Sequence, residues 1–324
     1  MEKILNEHYL YLSDRERLAC YRRAIAQVIQ PGDTVLDLGC GSGVLGLLAF
    51  RAGAGSVYFV DDTAAIEIAR QSIHDAGYGH QAEFFHCSSY ELALPERIDV
   101  VICDHVGCFG FDYGVLGVLA DARERFLKPD GVLVPQRIDL KLAPAEYPPG
   151  RAIVDRWRDI SLDEHFHWIA GTSANTKHLM DLASDDPLAT SSTLATLKPG
   201  FDTEPYYAWK TEFVTERPGS FDGLAGWFEC ELADGIRMTN SPLSDDRVDR
   251  SQVFLPLEEP MHLTEGQRIV ADIMIRPEDH IIAWTVELPD TGQRASLTTF
   301  NGLLLDHNML AQSQPGRRAV LNQR

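Results

Sequence analysis

Asp37, Gly39, Gly41 and Gly43 stand at alternate positions in TVLDLGCGSGVLGLLAFRAGAGSVYFVDD, residues 34–62, and Asp61 lies near its end. Val35 and Leu36 are apolar and strand-forming. The glycines let the backbone turn tightly and approach a ligand closely, just before a helix begins with free N–H groups. The stretch thus reads as strand, turn, helix, strand and acid in one unbroken unit. That predicts a ligand seat in a doubly wound α/β domain. A dinucleotide fingerprint is not met, because it needs a glycine where Val44 stands. Further on, RIDVVICD, residues 97–104, is a nearly continuous apolar run ending in Asp104. It reads as a central parallel strand, buried on both faces, whose C-terminal end meets the ligand crevice.

The D-x-G-x-G-x-G pattern resembles the signature of S-adenosylmethionine (SAM) methyltransferases. The resemblance implies SAM as cofactor, with Asp37 orienting its methionine end and Asp61 accepting hydrogen bonds from both ribose hydroxyls. His8, Arg17 and Tyr21, nine and then four residues apart, are similar to the helix that precedes this turn in the protein arginine methyltransferases. By that likeness His8 and Arg17 fold over the cofactor, and Arg17 pairs with its carboxylate. Read alone, Arg17 is a solvated member of the charged run Asp14 to Arg17. The loop CSSYELALP follows a predicted third strand, Ala82 to His86, and adenine rests at such a loop in this fold. The arginine methyltransferases offer a glutamate at the position of Tyr90, so the adenine contact stays open among the Ser89 backbone, Tyr90 and Glu91.

The segment from Cys103 to Gly131 aligns without a gap to the same family, through Gly107, Phe111, Leu116, Ala122, Arg123, Leu127, Pro129 and Gly131. There the family carries two glutamates that grip the substrate guanidinium, a planar fork of donors that suits paired carboxylates. Here the first position is Asp104 and the second is Tyr113, neutral at ordinary pH, with Asp112 beside it. Asp104 is therefore expected to position or deprotonate the acceptor, helped by Asp112, Tyr113 and His105. His105 stands where the family has tryptophan, so it is either a neutral base or a packing residue. The family's Thr-His-Trp loop aligns to Val248, Asp249 and Arg250. Asp249 would supply charge there and Arg250 would bind an acceptor carboxylate, unless SDDRVDRSQ is only a solvated loop.

Other elements must position these groups. His8 to Gln30 has apolar residues at helical spacing and stops before Pro31-Gly32, which predicts one or two helices. Ala64 to Ala76 reads as a short helix and Val132 to Leu140 as a strand. Pro144, Pro148, Pro149 and Gly150 mark a boundary or an excursion. Ala152 to Ser184 is helix-like but weakly periodic. By resemblance it is a dimerisation arm, and its His165-Phe166-His167-Trp168 reads as core or interface aromatics rather than metal ligands. After Tyr206 the pattern changes to strands. FECEL, Asp234-Gly235 and IRMTN form a hairpin signal, and QRIVADIMIR and IIAWTVEL alternate. The expected architecture is α/β: cofactor-covering helices (1–30), a SAM-binding Rossmann-like domain (31–135), and a β-barrel acceptor domain (136–324) with its arm near 152–184. Gly302 to Arg324 reads as a short helix and a loose tail.

Length and composition agree with this plan. The 324 residues suffice for two ordinary cores, and a formal net charge of −19, from 29 basic and 48 acidic side chains, disfavours nucleic acid as a partner. Six cysteines without a C-x-x-C pair, and no basic-then-apolar leader, read as reduced thiols in a cytoplasm. No apolar run approaches a membrane span. The function expected is methyl transfer from SAM to a nitrogen of a small metabolite or natural product, in a homodimer. The alternatives are a protein or free arginine N-methyltransferase with a rearranged acidic loop, and a catalytically silent SAM-binding scaffold.

Overall fold

The computed structural model describes residues 2–161 and 163–302. The N-terminal run forms two helices, α1 (Glu2–Ser13) and α2 (Arg15–Val28). Asp14 separates them, and its Oδ1 accepts from the Arg17 N–H at 3.0 Å. This is an N-cap, satisfying a donor that the first turn of α2 leaves without a partner.

Five parallel strands follow: β1 (Thr34–Leu38), β2 (Ser56–Asp61), β3 (Ala82–His86), β4 (Ile98–Cys103) and β5 (Leu127–Val134). They lie in the order β3-β2-β1-β4-β5, with α3 (Val44–Ala52), α4 (Ile66–Asp75) and α5 (Val115–Arg125) in the connections. Val35, Leu36, Val101 and Ile102 are wholly buried, each contributing about 1.5–3 kcal/mol relative to exposure. The strand order reverses between β1 and β4, where an open α/β sheet leaves its crevice. Leu38 is paired with Cys103 in register, so the glycine turn and Asp104 leave the sheet side by side.

Sequence periodicity gave one strand over Val132 to Leu140, whereas the chain divides it. β5 ends at Val134 in the parallel sheet, and β6 (Arg137–Ala145) starts an antiparallel one. Pro135 lies between them and has no N–H for a ladder. Pro144, by contrast, is inside β6, and Pro148 and Pro149 open α6 (Pro148–Asp155), where a missing N–H costs nothing.

The arm region holds α6, a single 3₁₀ turn (Glu164–Phe166) and α7 (Ile169–Ala174). Phe166 and Trp168 are 46% and 59% exposed, so these two aromatics are not core residues of the single chain. Beyond them come β7 (His178–Met180), β8 (Ser192–Leu197), β9 (Tyr207–Val214), β10 (Gly219–Ala233), β11 (Ile236–Thr239), β12 (Gln252–Leu263), β13 (Arg268–Arg276), β14 (Ile281–Leu288) and β15 (Gln293–Thr298). β10 and β11 make the expected hairpin, Ala233 opposite Ile236. The strands build two antiparallel sheets, β7-β12-β10-β6-β8 with β11 on β10, and β15-β14-β13-β9. Ile269, Ala271, Ile273 and Ile275 are buried while Asp272, Met274 and Arg276 are exposed, as the alternation requires. Trp284 ties the sheets together by donating Nε1–H to the Pro256 carbonyl at 3.1 Å. A last helix, α8 (Thr299–Gly302), closes the described chain, and the tail expected after it lies outside the described residues.

Candidate active site

The glycine turn is pinned from both sides. Gly39 and Cys40 donate their N–H groups to the Val60 carbonyl at 2.9 and 3.0 Å. Asp61 accepts from Gly41 N at 2.8 Å on Oδ2, and from Thr63 N at 2.9 Å and Thr63 Oγ1 at 2.5 Å on Oδ1. Asp37 accepts from Gly46 N at 2.7 Å, which binds the first turn of α3 to β1. Burial pushes the Asp37 carboxyl up to about 8, against the pull of that N–H. Gly39 and Gly41 have φ of +70° and +51°, conformations that side chains resist. A Cβ on Gly39 would meet His105 Nε2 at 2.1 Å, and one on Gly41 would meet His8 Cε1 at 2.5 Å. His8 of α1 therefore rests on the turn.

Arg17 and Asp104, expected on opposite sides of the reaction, are bonded to each other. Arg17 Nε donates to Asp104 Oδ2 at 2.6 Å, Arg250 Nη2 donates to the same oxygen at 2.6 Å, and the Tyr21 hydroxyl donates to Oδ1 at 2.8 Å. The side chains of Arg17, Arg250 and Asp104 are only 6%, 10% and 10% exposed. Burial by itself would raise the Asp104 carboxyl, but the two guanidiniums and the Tyr21 hydroxyl outweigh it and hold it at about 2. So weak a base is unsuited to deprotonating an acceptor near neutral pH, and both its oxygens already accept bonds. The acid expected to position or deprotonate the acceptor is thus built into a clamp.

Asp112 is also occupied. Its Oδ2 accepts from Cys108 N and Phe109 N at 2.8 and 3.0 Å, and its Oδ1 takes Lys177 Nζ at 2.7 Å. Tyr113 has φ of +54° and is 62% exposed, with its ring 5.9 Å from that of His105. Burial raises the Tyr113 phenol and lowers His105, so both are neutral at ordinary pH. His105 Nδ1 is buried and has no hydrogen-bond partner. Arg250, expected to receive an acceptor carboxylate, faces Asp104 instead. Asp249 is exposed, and its N–H donates to Asp14 Oδ2 at 3.0 Å. These two residues line a cavity of about 460 Å³ with Ser13, Asp14 and Asp181.

The three adenine candidates form a 3₁₀ turn after β3. The Ser89 carbonyl already accepts from Arg125 Nη2 at 2.7 Å, while Tyr90 and Glu91 are exposed. The groups fit SAM by charge as well as by place. Two guanidiniums against the single carboxylate of Asp104 leave one positive charge over, which suits a methionine carboxylate. Asp37, kept neutral by burial when alone, would ionise beside the cofactor ammonium.

Several partners were not legible as site residues: Tyr11, Asp14 and Lys177. Asp14 alone carried a local signal, an acid immediately before a helical run. The Tyr11 carbonyl accepts from Arg17 Nη1 at 3.0 Å, and its ring lies 5.4 Å from the Arg17 guanidinium carbon. Nothing in the sequence pairs Lys177 with Asp112.

The family described as "Ribosomal protein L11 methyltransferase (PrmA)" matches residues 19–135. The arginine N(omega)-methyltransferase of Streptomyces achromogenes subsp. streptozoticus is 29% identical over 288 residues, covering 81% of this chain and 74% of that protein. The probable protein arginine N-methyltransferase 6 of Arabidopsis thaliana is 31% identical over 156 residues, 47% of this chain. That match spans 36% of the relative, and the match to Arabidopsis PRMT10 spans 35% of it. Among solved structures, the Trypanosoma brucei PRMT1 enzyme-prozyme heterotetrameric complex with AdoHcy has a TM-score of 0.78 at 18% identity, over 90% of this chain and 96% of that one. Arabidopsis PRMT10 gives 0.78 at 21%, over 91% and 98%. At such identities the likeness is one of fold. Fold, glycine turn and relatives together resemble those of the class I SAM-dependent methyltransferases. Within that class the chain resembles the protein arginine methyltransferases.

Proposed function

We propose that this chain is a SAM-dependent methyltransferase acting on a nitrogen of a small-molecule acceptor rather than on peptidyl arginine. One observation carries the reading: both acids of the 104–113 loop already hold a cation from elsewhere in the chain, Arg250 on Asp104 and Lys177 on Asp112. A guanidinium acceptor would have to displace them. When bound, SAM supplies an electrophilic methyl group on a sulfonium. The chain's part is alignment and control of charge. Arg17 takes the cofactor carboxylate, Asp37 its ammonium and Asp61 the ribose. His105, neutral at ordinary pH, is a stronger base than Asp104 and better suited to receive an acceptor proton, and Tyr113 stands beside it. The turn of Ser89, Tyr90 and Glu91 meets the adenine.

A second reading, methylation of arginine, free or in a protein, is favoured by the Streptomyces relative, an arginine N(omega)-methyltransferase whose match covers 81% of this chain. It requires Arg250 and Lys177 to leave their carboxylates. Transfer of labelled methyl from SAM decides between the two. The purified protein is offered an arginine-rich peptide, free arginine, and a small-molecule extract of the source cells. Label only in the extract supports the first reading, and label in arginine promotes the second. Label in the peptide contradicts the first. SAM binding with no labelled product in any arm would leave a silent scaffold.

We also propose a homodimer that buries Phe166 and Trp168 of the arm. Sedimentation as a monomer at micromolar concentration would contradict it. A cytoplasmic site of action fits the six cysteines, all unpaired. Among the described residues no helix is long and apolar enough to cross a membrane.

A further inference from the structure

We propose that Arg250 sets the acceptor class: its guanidinium fills, from within the chain, the seat on Asp104 that a guanidinium acceptor would take. The inference rests on the small-molecule reading above and names the residue responsible for it. Arg17 and Arg250 both donate to Asp104 Oδ2, but they are held differently. Arg17 belongs to the capped first turn of α2 and gives a second bond to the Tyr11 carbonyl. Arg250 belongs to the loop before β12; beyond Asp104 it has a 3.5 Å contact from Nη1 to the Gly107 carbonyl and lies 5.9 Å from the Tyr11 ring centroid, a looser hold than that of Arg17. It also lines the cavity of about 460 Å³ beside the α1–α2 junction. Arg250 thus lies between that cavity and Asp104, and it is the more replaceable of the two guanidiniums.

Charge points the same way. In this cluster Arg17 and Arg250 balance Asp104 and the cofactor carboxylate, so the wild-type site asks for no further cation. Without Arg250 the sum is one negative charge, next to an opened cavity. A guanidinium from solution is the fitting occupant, since its fork matches a carboxylate.

The test compares wild type and Arg250→Ala, both saturated with S-adenosylhomocysteine, for binding of ethylguanidinium and free arginine by calorimetry. Arg250→Ala is expected to bind ethylguanidinium roughly tenfold to a hundredfold more tightly than wild type, as one new charged hydrogen-bonded pair implies. The gain should vanish in Asp104→Asn/Arg250→Ala. Arg250→Lys, which keeps a cation on Asp104, should show none. If Arg250→Ala does not fold, Arg250→Ser carries the same comparison. Equal binding by wild type and variant, or a gain that survives loss of the Asp104 charge, overturns the proposal and leaves the small-molecule reading untouched. Methyl transfer by wild type to an arginine peptide would overturn that reading whatever the variant binds.

Discussion

Leu38 and Cys103 are register partners at the C-terminal ends of two parallel strands, β1 and β4. This pairing brings a cofactor-type turn and an acceptor-type loop, 65 residues apart from Gly39 to Asp104, to one lip of the sheet. A slip of two residues would move Asp104 by about 7 Å along the strand, out of reach of Arg17. The buried ladder of Val35, Leu36, Val101 and Ile102 holds that register.

Asp61 tethers the glycine turn through Gly41 N and is the residue assigned to the ribose. Asp61→Ala is expected to weaken S-adenosylhomocysteine binding by roughly tenfold to a hundredfold, the scale of lost hydrogen bonds to a charged acceptor. Calorimetry reads it directly. Unchanged affinity would remove Asp61 from the cofactor site.

Asp37 keeps its proton up to about pH 8 in the free protein, whereas in the unfolded chain it loses it near its ordinary value of 3.8. Its folded value is raised, so the associated stability is present at low pH and is lost as pH rises between those values. Binding the cofactor ammonium favours the ionised form. SAM binding should therefore release a proton and tighten as pH rises towards 8, then level off. Titration in buffers of different ionisation enthalpy checks the proton release, and Asp37→Asn should abolish it.

Asp104→Asn leaves two nearly buried guanidiniums without a counter-charge and is expected to cost about 3–5 kcal/mol of stability. Adding Arg250→Met should recover part of that loss, and a urea-denaturation double-mutant cycle would measure it. Because the folded Asp104 value is lowered from 3.8 to about 2, its contribution is present above pH 3.8 and lost as pH falls through 2. If the two losses simply add, the ion pair does not exist in solution.

Gly41→Ala forces a Cβ at φ of +51° to within 2.5 Å of His8 Cε1. A loss of about 1–2 kcal/mol from the backbone alone is expected. His8→Ala in the same chain should relieve the collision but not the backbone cost. Thermal denaturation of the single and double variants separates the two terms.

The cofactor half was legible because its signals are local. Glycines at alternate positions, an acid inside the first strand and another ending the second all lie within 29 consecutive residues. The expected α/β fold followed from that unit and the alternating strands after Tyr206. The division at Pro135 was missed because apolar residues resume at Ile138 and Leu140 soon after it, so that the Pro-Gln-Arg break reads as an interruption within one strand. The acceptor half was illegible for another reason. Asp104 looked like a free carboxylate, since its partners Arg17, Tyr21 and Arg250 lie 87, 83 and 146 residues away. Whether a charge is available depends on such long-range neighbours, and periodicity does not report them.

The most direct test is a crystal structure with S-adenosylhomocysteine bound. The account predicts Arg17 on the homocysteine carboxylate, with Arg250 still on Asp104 and Lys177 still on Asp112. Arg250 and Lys177 withdrawn, with both carboxylates facing an open acceptor space, would contradict it and restore the arginine methyltransferase reading.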